Sequence, residues 1–197
     1  DCIMIEGASL KIGYNWLFDI YMSIQERRSL SIEYNPYGKE STIRKISPYL
    51  LKQSKGRWYL VGYDHDSQMT KVFALDRIIR LDGNKTGYIV DKKFNRDEYF
   101  KYSIGVYHRW DARPEKVSLL FSEQMKPYIL SMPIHNTQTV ISNDKKGLLV
   151  ELTIYDVVNN FELKNLILGY GSQVEVIKPK SLRDAIYTEI SAIQKLY

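Results

Sequence analysis

An α+β fold in two parts is predicted: an amphipathic helix leading into a small antiparallel β-barrel, then a ferredoxin-like domain with a C-terminal helix. Three observations carry this expectation. Apolar residues recur at helical spacing over residues 15–28. Turn residues then interrupt apolar or alternating runs at intervals of roughly 10 residues as far as residue 90, the pattern of a meander that closes on itself. From residue 115 the strand and helix patterns follow one another as β-α-β-β-α-β.

In the lead-in, residues 1–28, Leu17, Ile20, Tyr21 and Ile24 mark one face of a helix with Asn15 as its expected cap and Arg27 and Arg28 at its end. The barrel, residues 29–90, is built from SIEY, TIRKISPYLLKQ, RWYLVGYD and TKVFALDRIIRL, each read as one strand and separated by Asn-Pro-Tyr-Gly, Ser-Lys-Gly and His-Asp-Ser-Gln turns. Residues 91–114 mix charged and aromatic residues with weak periodicity and include Pro114, so they are read as a linker. Residues 115–197 supply strands at 115–121, 138–142, 147–155 and 173–178, and helices at 123–131, 159–168 and 181–196. The last helix carries Leu182, Ile186, Ile190 and Ile193 on one face, suited to the sheet, the barrel or a second copy of the chain.

Composition narrows the class. The chain has 197 residues, 44% of them hydrophobic, enough for one substantial core or two modest ones. Its single cysteine, Cys2, excludes an internal disulfide and a cysteine zinc site, so a cytoplasmic location is expected. No apolar stretch approaches the roughly 20 residues that span a bilayer, and no membrane partner is expected. The first residue is Asp rather than Met, so an upstream segment is expected to be missing. The net charge of +5 is compatible with a polyanionic partner, and the 16 tyrosines add aromatic faces on which bases stack. Tyrosine also serves strands and interfaces, so composition alone leaves both readings open.

A search for catalytic chemistry finds little. The histidines are His65, His108 and His135. His65 lies in a turn between Asp64 and Asp66, where adjacent side chains point to opposite faces and suit solvent better than a metal. His135 is expected to order its loop or meet a partner. Cys2 has no evident activator. There is no phosphate-loop or dinucleotide fingerprint and no His-Glu-x-x-His, and Gly169 and Gly171 suit a helix stop. No catalytic residue, metal or cofactor is expected.

What stands out is a mixture of cations and rings in the barrel: Arg44, Lys45, Lys52, Arg57, Lys71 and Arg77 with Tyr49, Trp58, Tyr59, Tyr63 and Phe73. Because alternate strand residues share a face, one face can combine guanidinium and ammonium groups with stacking platforms. Such a face suits single-stranded nucleic acid or a phosphorylated nucleotide. The competing reading fills the core with the rings and leaves the cations solvated; it is favoured for Trp58, Leu60 and Val61. The candidate ligand-binding residues are Arg44, Tyr49, Lys52, Tyr59, Tyr63, Lys71, Phe73 and Arg77.

Residues 56–64, GRWYLVGYD, carry the tripeptide Trp58-Tyr59-Leu60. It follows IEYNPYG and RKISPYLL and precedes VFALDRI. These four motifs, in this order, resemble the WYL domain of bacterial transcriptional regulators, and the chain from Lys116 onward resembles the C-terminal extension that accompanies it. The resemblance implies an Sm-like, SH3-type barrel and a ferredoxin-like extension. It also implies a regulator with an upstream winged helix-turn-helix, usually dimeric, that senses a ligand, in some members single-stranded DNA or another nucleotide. Operator DNA is then expected to be reached only through that upstream domain, which this sequence lacks.

Arg44, Pro48, Tyr49, Trp58, Tyr59 and Arg77 match family positions, and Lys71 stands near where many relatives have arginine. Lysine keeps the charge but loses the planar fork. The resemblance points Arg77 and Lys71 to anionic contacts, Tyr49 and Phe73 to stacking or pocket walls, and Trp58 with Leu60 to the core. A homodimeric ligand-sensing module is therefore the leading expectation. The alternatives are a protein-interaction or dimerisation module without a small ligand, and an enzyme acting on nucleotides, which lacks its usual side chains.

Overall fold

The computed structural model describes residues 13–84, 87–109 and 111–197, so Cys2 and the start of the lead-in lie outside the described residues. The chain divides into two compact units, Asp1–Arg96 and Asp97–Tyr197.

In the first unit, α1 (Leu17–Gln25) follows a 3-10 turn at Tyr14–Trp16. Asn15 is not its cap, because the helix begins two residues later and its N-terminus has no side-chain cap. Ile20 is completely buried. The helix ends where the Arg28 amide donates to the Ser23 carbonyl at 2.9 Å while Arg27 adopts a left-handed φ of 50°. That closure is of the Schellman type, with an arginine where glycine is usual.

Five antiparallel strands follow: β1 (Ser29–Tyr34), β2 (Thr42–Ser54), β3 (Arg57–Asp64), β4 (Met69–Ala74) and β5 (Ile78–Asn84). Their order is β4-β3-β2-β1-β5. The segment read as one closing strand is therefore two. A 3-10 turn at Leu75–Arg77 breaks it, and β5 leaves β3 to pair with β1 at the opposite edge. Burial of Leu75 to 1% exposure anchors the break. Among the described residues no ladder joins β4 to β5.

One face of the sheet carries Leu30, Ile32, Ile46, Leu60, Phe73 and Ile78 around Ile20, joined by Leu75 from the 3-10 turn, with Trp58 packed against them. Each such buried side chain contributes about 1.5–3 kcal/mol. Strand alternation then decides position: residues sharing parity with Leu60 on β3 point into this core. A bulge between Pro48 and Leu50 brings β2 hard against Gly62, where an added Cβ would lie 2.6 Å from Ile46 Cγ2 and 2.7 Å from the Ser47 carbonyl oxygen.

The segment 91–114, expected as a linker, is partly built into structure. It contains α2 (Arg96–Tyr99). Ile104 belongs to the second core, and the Tyr107 hydroxyl donates to Asp156 Oδ2 at 2.7 Å. In that unit β6 (Pro114–Phe121), α3 (Lys126–Ser131), β7 (Thr139–Asp144), β8 (Gly147–Tyr155), α4 (Phe161–Gly169) and β9 (Val174–Lys178) appear in the expected order. α5 (Lys180–Gln194) follows. The sheet order is β7-β8-β6-β9, antiparallel throughout. Leu148, Val150, Leu152 and Ile154 alternate inward along β8. Asn160 caps α4 by accepting from the Leu163 amide at 3.0 Å. No helix among the described residues is long and apolar enough to cross a membrane.

Candidate ligand site

The eight candidate residues do not share one face. Phe73 is a correction: it is 5% exposed and packs edge-on to Tyr34 with ring centroids 5.2 Å apart, so it is core rather than pocket wall. Its pairing with Leu60 across β3 and β4 puts it on the inward side of the sheet.

Arg44 and Lys71 also depart from expectation, because both meet a carboxylate of the protein itself. Asp64 ends β3 on the core side, with its side chain 1% exposed. Lys71 Nζ donates to Asp64 Oδ2 at 3.0 Å, and Arg44 Nη1 lies 3.5 Å from the same oxygen and 3.7 Å from Asp66 Oδ2. The Ser67 hydroxyl and the Asp66 amide donate to the same carboxylate at 2.9 and 3.1 Å. Burial pushes the Asp64 carboxyl up, but these donors outweigh it and hold the group below the usual carboxylate value. The two cations are therefore largely committed to an internal anion.

Tyr49 and Tyr63 belong to a second group, on the outward side of β2 and β3. The stretch 87–94 lies over it as a strap. The Tyr49 hydroxyl donates to the Ile89 carbonyl and accepts from the Asp91 amide, both at 2.8 Å. Its ring packs on Phe94 at 4.9 Å and Tyr88 at 6.1 Å. The Tyr88 hydroxyl donates to the Pro48 carbonyl at 2.9 Å, and the Thr70 hydroxyl to Asp91 Oδ2 at 2.9 Å. Burial, opposed by the Asp91 amide, pushes the Tyr49 phenol up to about 12. Tyr49 thus serves the protein's own strap and offers no free stacking platform.

Beneath the strap, fully buried Ser47 accepts from the Ile89 amide at 2.9 Å and pairs with His65 Nε2 at 2.8 Å. The Tyr63 ring stands edge-on to His65 at 5.8 Å. Burial, helped by the nearby Lys45 charge, holds His65 below its ordinary value and so favours the neutral imidazole. His65 is thus more engaged than a solvated turn residue, and a hydroxyl held by a backbone amide under a strap is not presented to an outside substrate. His135 orders its own loop as expected, with Nδ1 2.8 Å from Thr137 Oγ1 and Nε2 3.2 Å from the Ser103 carbonyl. Lys52 and Tyr59 are cross-strand partners on β2 and β3, half-buried and engaged with neighbours.

Arg77 occupies a third place. Its guanidinium carbon lies 4.0 Å from the centre of the Tyr37 ring, and its Nε is buried without a hydrogen-bond acceptor. Both residues line a cleft of about 560 Å³ whose walls are the Asn35–Glu40 loop and the Asp76–Ile79 turn. The Asn35 amide donates to the Arg77 carbonyl at 3.0 Å and ties the two walls together. The cleft's cations are Lys39 and Arg77; its acidic residues are Glu40 and Asp76, whose Oδ2 lies 3.5 Å from Arg57 while its Oδ1 is buried without a donor. The Asn-Pro-Tyr-Gly pattern signals a turn and carries no local sign that Tyr37 meets Arg77, 40 positions on. Tyr88 and Phe94 likewise carry no local sign, because a strap has no periodicity.

Among the described residues no cluster of His, Cys, Asp and Glu has the geometry to hold a metal ion. The arrangement suits recognition of a planar or anionic group, through one guanidinium, one exposed ring and the backbone of a turn.

Comparison with known proteins agrees with this architecture. A model of the WYL domain matches residues 15–82, and a model of the WCX domain matches residues 113–194. Protein PafB of Mycobacterium tuberculosis is 51% identical over 154 residues, 77% of this chain and 44% of PafB. Protein PafB of Mycobacterium leprae is 32% identical over 72 residues, 36% of this chain and 22% of that protein. The chain thus spans less than half the length of these relatives. A crystal structure of a CRISPR Cas-related protein superposes with a TM-score of 0.59 at 13% identity, covering 94% of this chain and 53% of that one, which shows a shared fold. This chain is built of a WYL domain followed by a WCX domain.

Proposed function

We propose that this chain is the ligand-sensing and dimerising portion of a bacterial transcriptional regulator, and that an anionic ligand of nucleotide chemistry binds at the Arg77–Tyr37 cleft. Single-stranded DNA or RNA and smaller phosphorylated nucleotides all fit that description. The observation that carries the reading is the Arg77 guanidinium, stacked on an exposed ring and holding a buried N–H that no protein group accepts. An unmet buried donor costs about 1–3 kcal/mol, which a phosphate or base oxygen recovers once Tyr37 moves aside. A base can take the position of the Tyr37 ring and keep the cation–π contact. Contact with operator DNA runs through a domain outside this chain, and the protein performs no catalysis in this reading.

The test is fluorescence anisotropy of the chain with labelled single-stranded DNA and RNA at low and moderate salt, alongside Arg77→Ala. Saturable binding that weakens with salt and drops at least about tenfold in Arg77→Ala supports the reading, since phosphate contacts release counterions. Binding indifferent to Arg77, or none at either salt or with mononucleotides, overturns it.

A second reading, a protein partner without a small ligand, draws on Tyr37 and Ile79. Both line the cleft, at 69% and 53% exposure. It predicts association insensitive to salt and no oligonucleotide binding.

A further inference from the structure

We infer that the cleft reads the edge of a nucleobase rather than a phosphate, with Asp76 Oδ1 accepting from a base N–H and Arg77 Nε donating to the acceptor beside it. This rests on the nucleotide reading above and names the part of the ligand that is recognised. Two neighbouring residues of the 3-10 turn Leu75–Arg77 carry it. Asp76 Oδ1 and Arg77 Nε are both buried, and neither has a hydrogen-bond partner. They do not satisfy each other, although the residues are adjacent and both line the cleft. Asp76 Oδ2 already faces Arg57 at 3.5 Å, so Oδ1 is the oxygen left to a ligand.

Hydrogen-bond chemistry selects the occupant. A guanidinium only donates and an ionised carboxylate only accepts, so the pair calls for one acceptor and one donor from the same ligand. A phosphate supplies acceptors alone. It would meet Arg77 but leave Asp76 Oδ1 unmet and set a second negative charge against it. A nucleobase carries an N–H donor next to a carbonyl or ring-nitrogen acceptor on one edge and so answers both atoms. The lining points the same way: Lys39 and Arg77 are balanced by Glu40 and Asp76, which suits a neutral polar edge better than a bare anion. Because the Nε–H lies in the plane of the guanidinium, the base meets it edge-on. The face of the guanidinium stays available to Tyr37 or to a second, stacked base.

The experiment is fluorescence anisotropy of the whole chain over a salt series, with a labelled single-stranded DNA of mixed sequence and an abasic strand of the same length and charge. Asp76→Ala, Arg57→Ala and Arg77→Ala are measured beside the parent. The sign of the Asp76 effect decides: removing a negative charge from a phosphate site tightens binding, whereas removing the acceptor of a base N–H weakens it. Asp76→Ala is expected to bind at least about fivefold more weakly than the parent. The abasic strand is expected to bind the parent at least about tenfold more weakly than the base-bearing strand, a comparison that needs no variant to fold. Arg77→Ala is expected to lose affinity without changing the slope of log affinity against log salt, where loss of one phosphate contact lowers that slope by about 0.7. Arg57→Ala breaks the ion pair of Asp76 but keeps its free oxygen, so it should match the parent within about threefold. An Asp76→Ala chain that binds as well as the parent or better, an abasic strand bound as tightly as the base-bearing one, or a lower slope in Arg77→Ala overturns this inference and leaves the Arg77 site standing. Binding that ignores Arg77, or no binding at all, overturns both.

Discussion

Lys71 on β4, paired with Gly62, reaches diagonally along the sheet to Asp64 at the end of β3, its ammonium donating at 3.0 Å to a carboxylate that is 1% exposed. Arg44 approaches the same carboxylate from β2, so two cations suggestive of a ligand site stabilise the end of a strand instead.

Replacing Asp64 with Asn is expected to cost about 1–3 kcal/mol at pH 7, at the lower end because Lys71 and Arg44 stay about a third exposed. The folded carboxyl titrates below its unfolded value. Its contribution is therefore complete above the unfolded pKa of about 4 and fades as pH falls through the folded value. Urea titrations at pH 7 and near pH 3 should show the gap between parent and variant closing in acid. A gap that persists or widens there refutes the assignment.

Lys71→Ala and Arg77→Ala should separate stability from recognition. The first is expected to lower the melting temperature and change oligonucleotide affinity less than threefold or so, because its cation is committed to Asp64. The second is expected to leave the melting temperature near the parent value and abolish binding. The reverse pattern would return the site to the Asp64 cluster.

Tyr49→Phe removes one donor and one acceptor from the strap and is expected to cost about 1–2 kcal/mol. Hydrogen exchange at the Asp91 amide, which donates to that hydroxyl, should accelerate before global stability is lost. In the parent protein, the Tyr49 phenolate should appear only near pH 12 in the ultraviolet difference spectrum. Unchanged exchange at Asp91 would mean that the strap is held elsewhere.

Gly62→Ala is expected to destabilise by about 1–3 kcal/mol, since the new methyl group meets the Ser47 carbonyl and Ile46 with no flexible chain end to give way. Chemical denaturation measures the loss directly. A neutral result would show that the Pro48 bulge can shift.

The local pattern of the chain determined where its strands and helices lie. Arg57–Asp64 and Gly147–Tyr155 were legible to the residue because their alternation and flanking turns are local properties. The break between Ala74 and Ile78 was not, since Leu75 leaves the strand to enter a core assembled from distant residues. The cations and rings of the WYL domain could be named from the sequence, but their partners could not. Strand parity tells which side of a sheet a residue occupies; it does not tell that Asp64 closes on Lys71 and Arg44, that residues 87–94 fold back over Tyr49, or that Tyr37 covers Arg77. Those pairings join residues up to 45 positions apart in sequence, and only the folded chain brings them into contact.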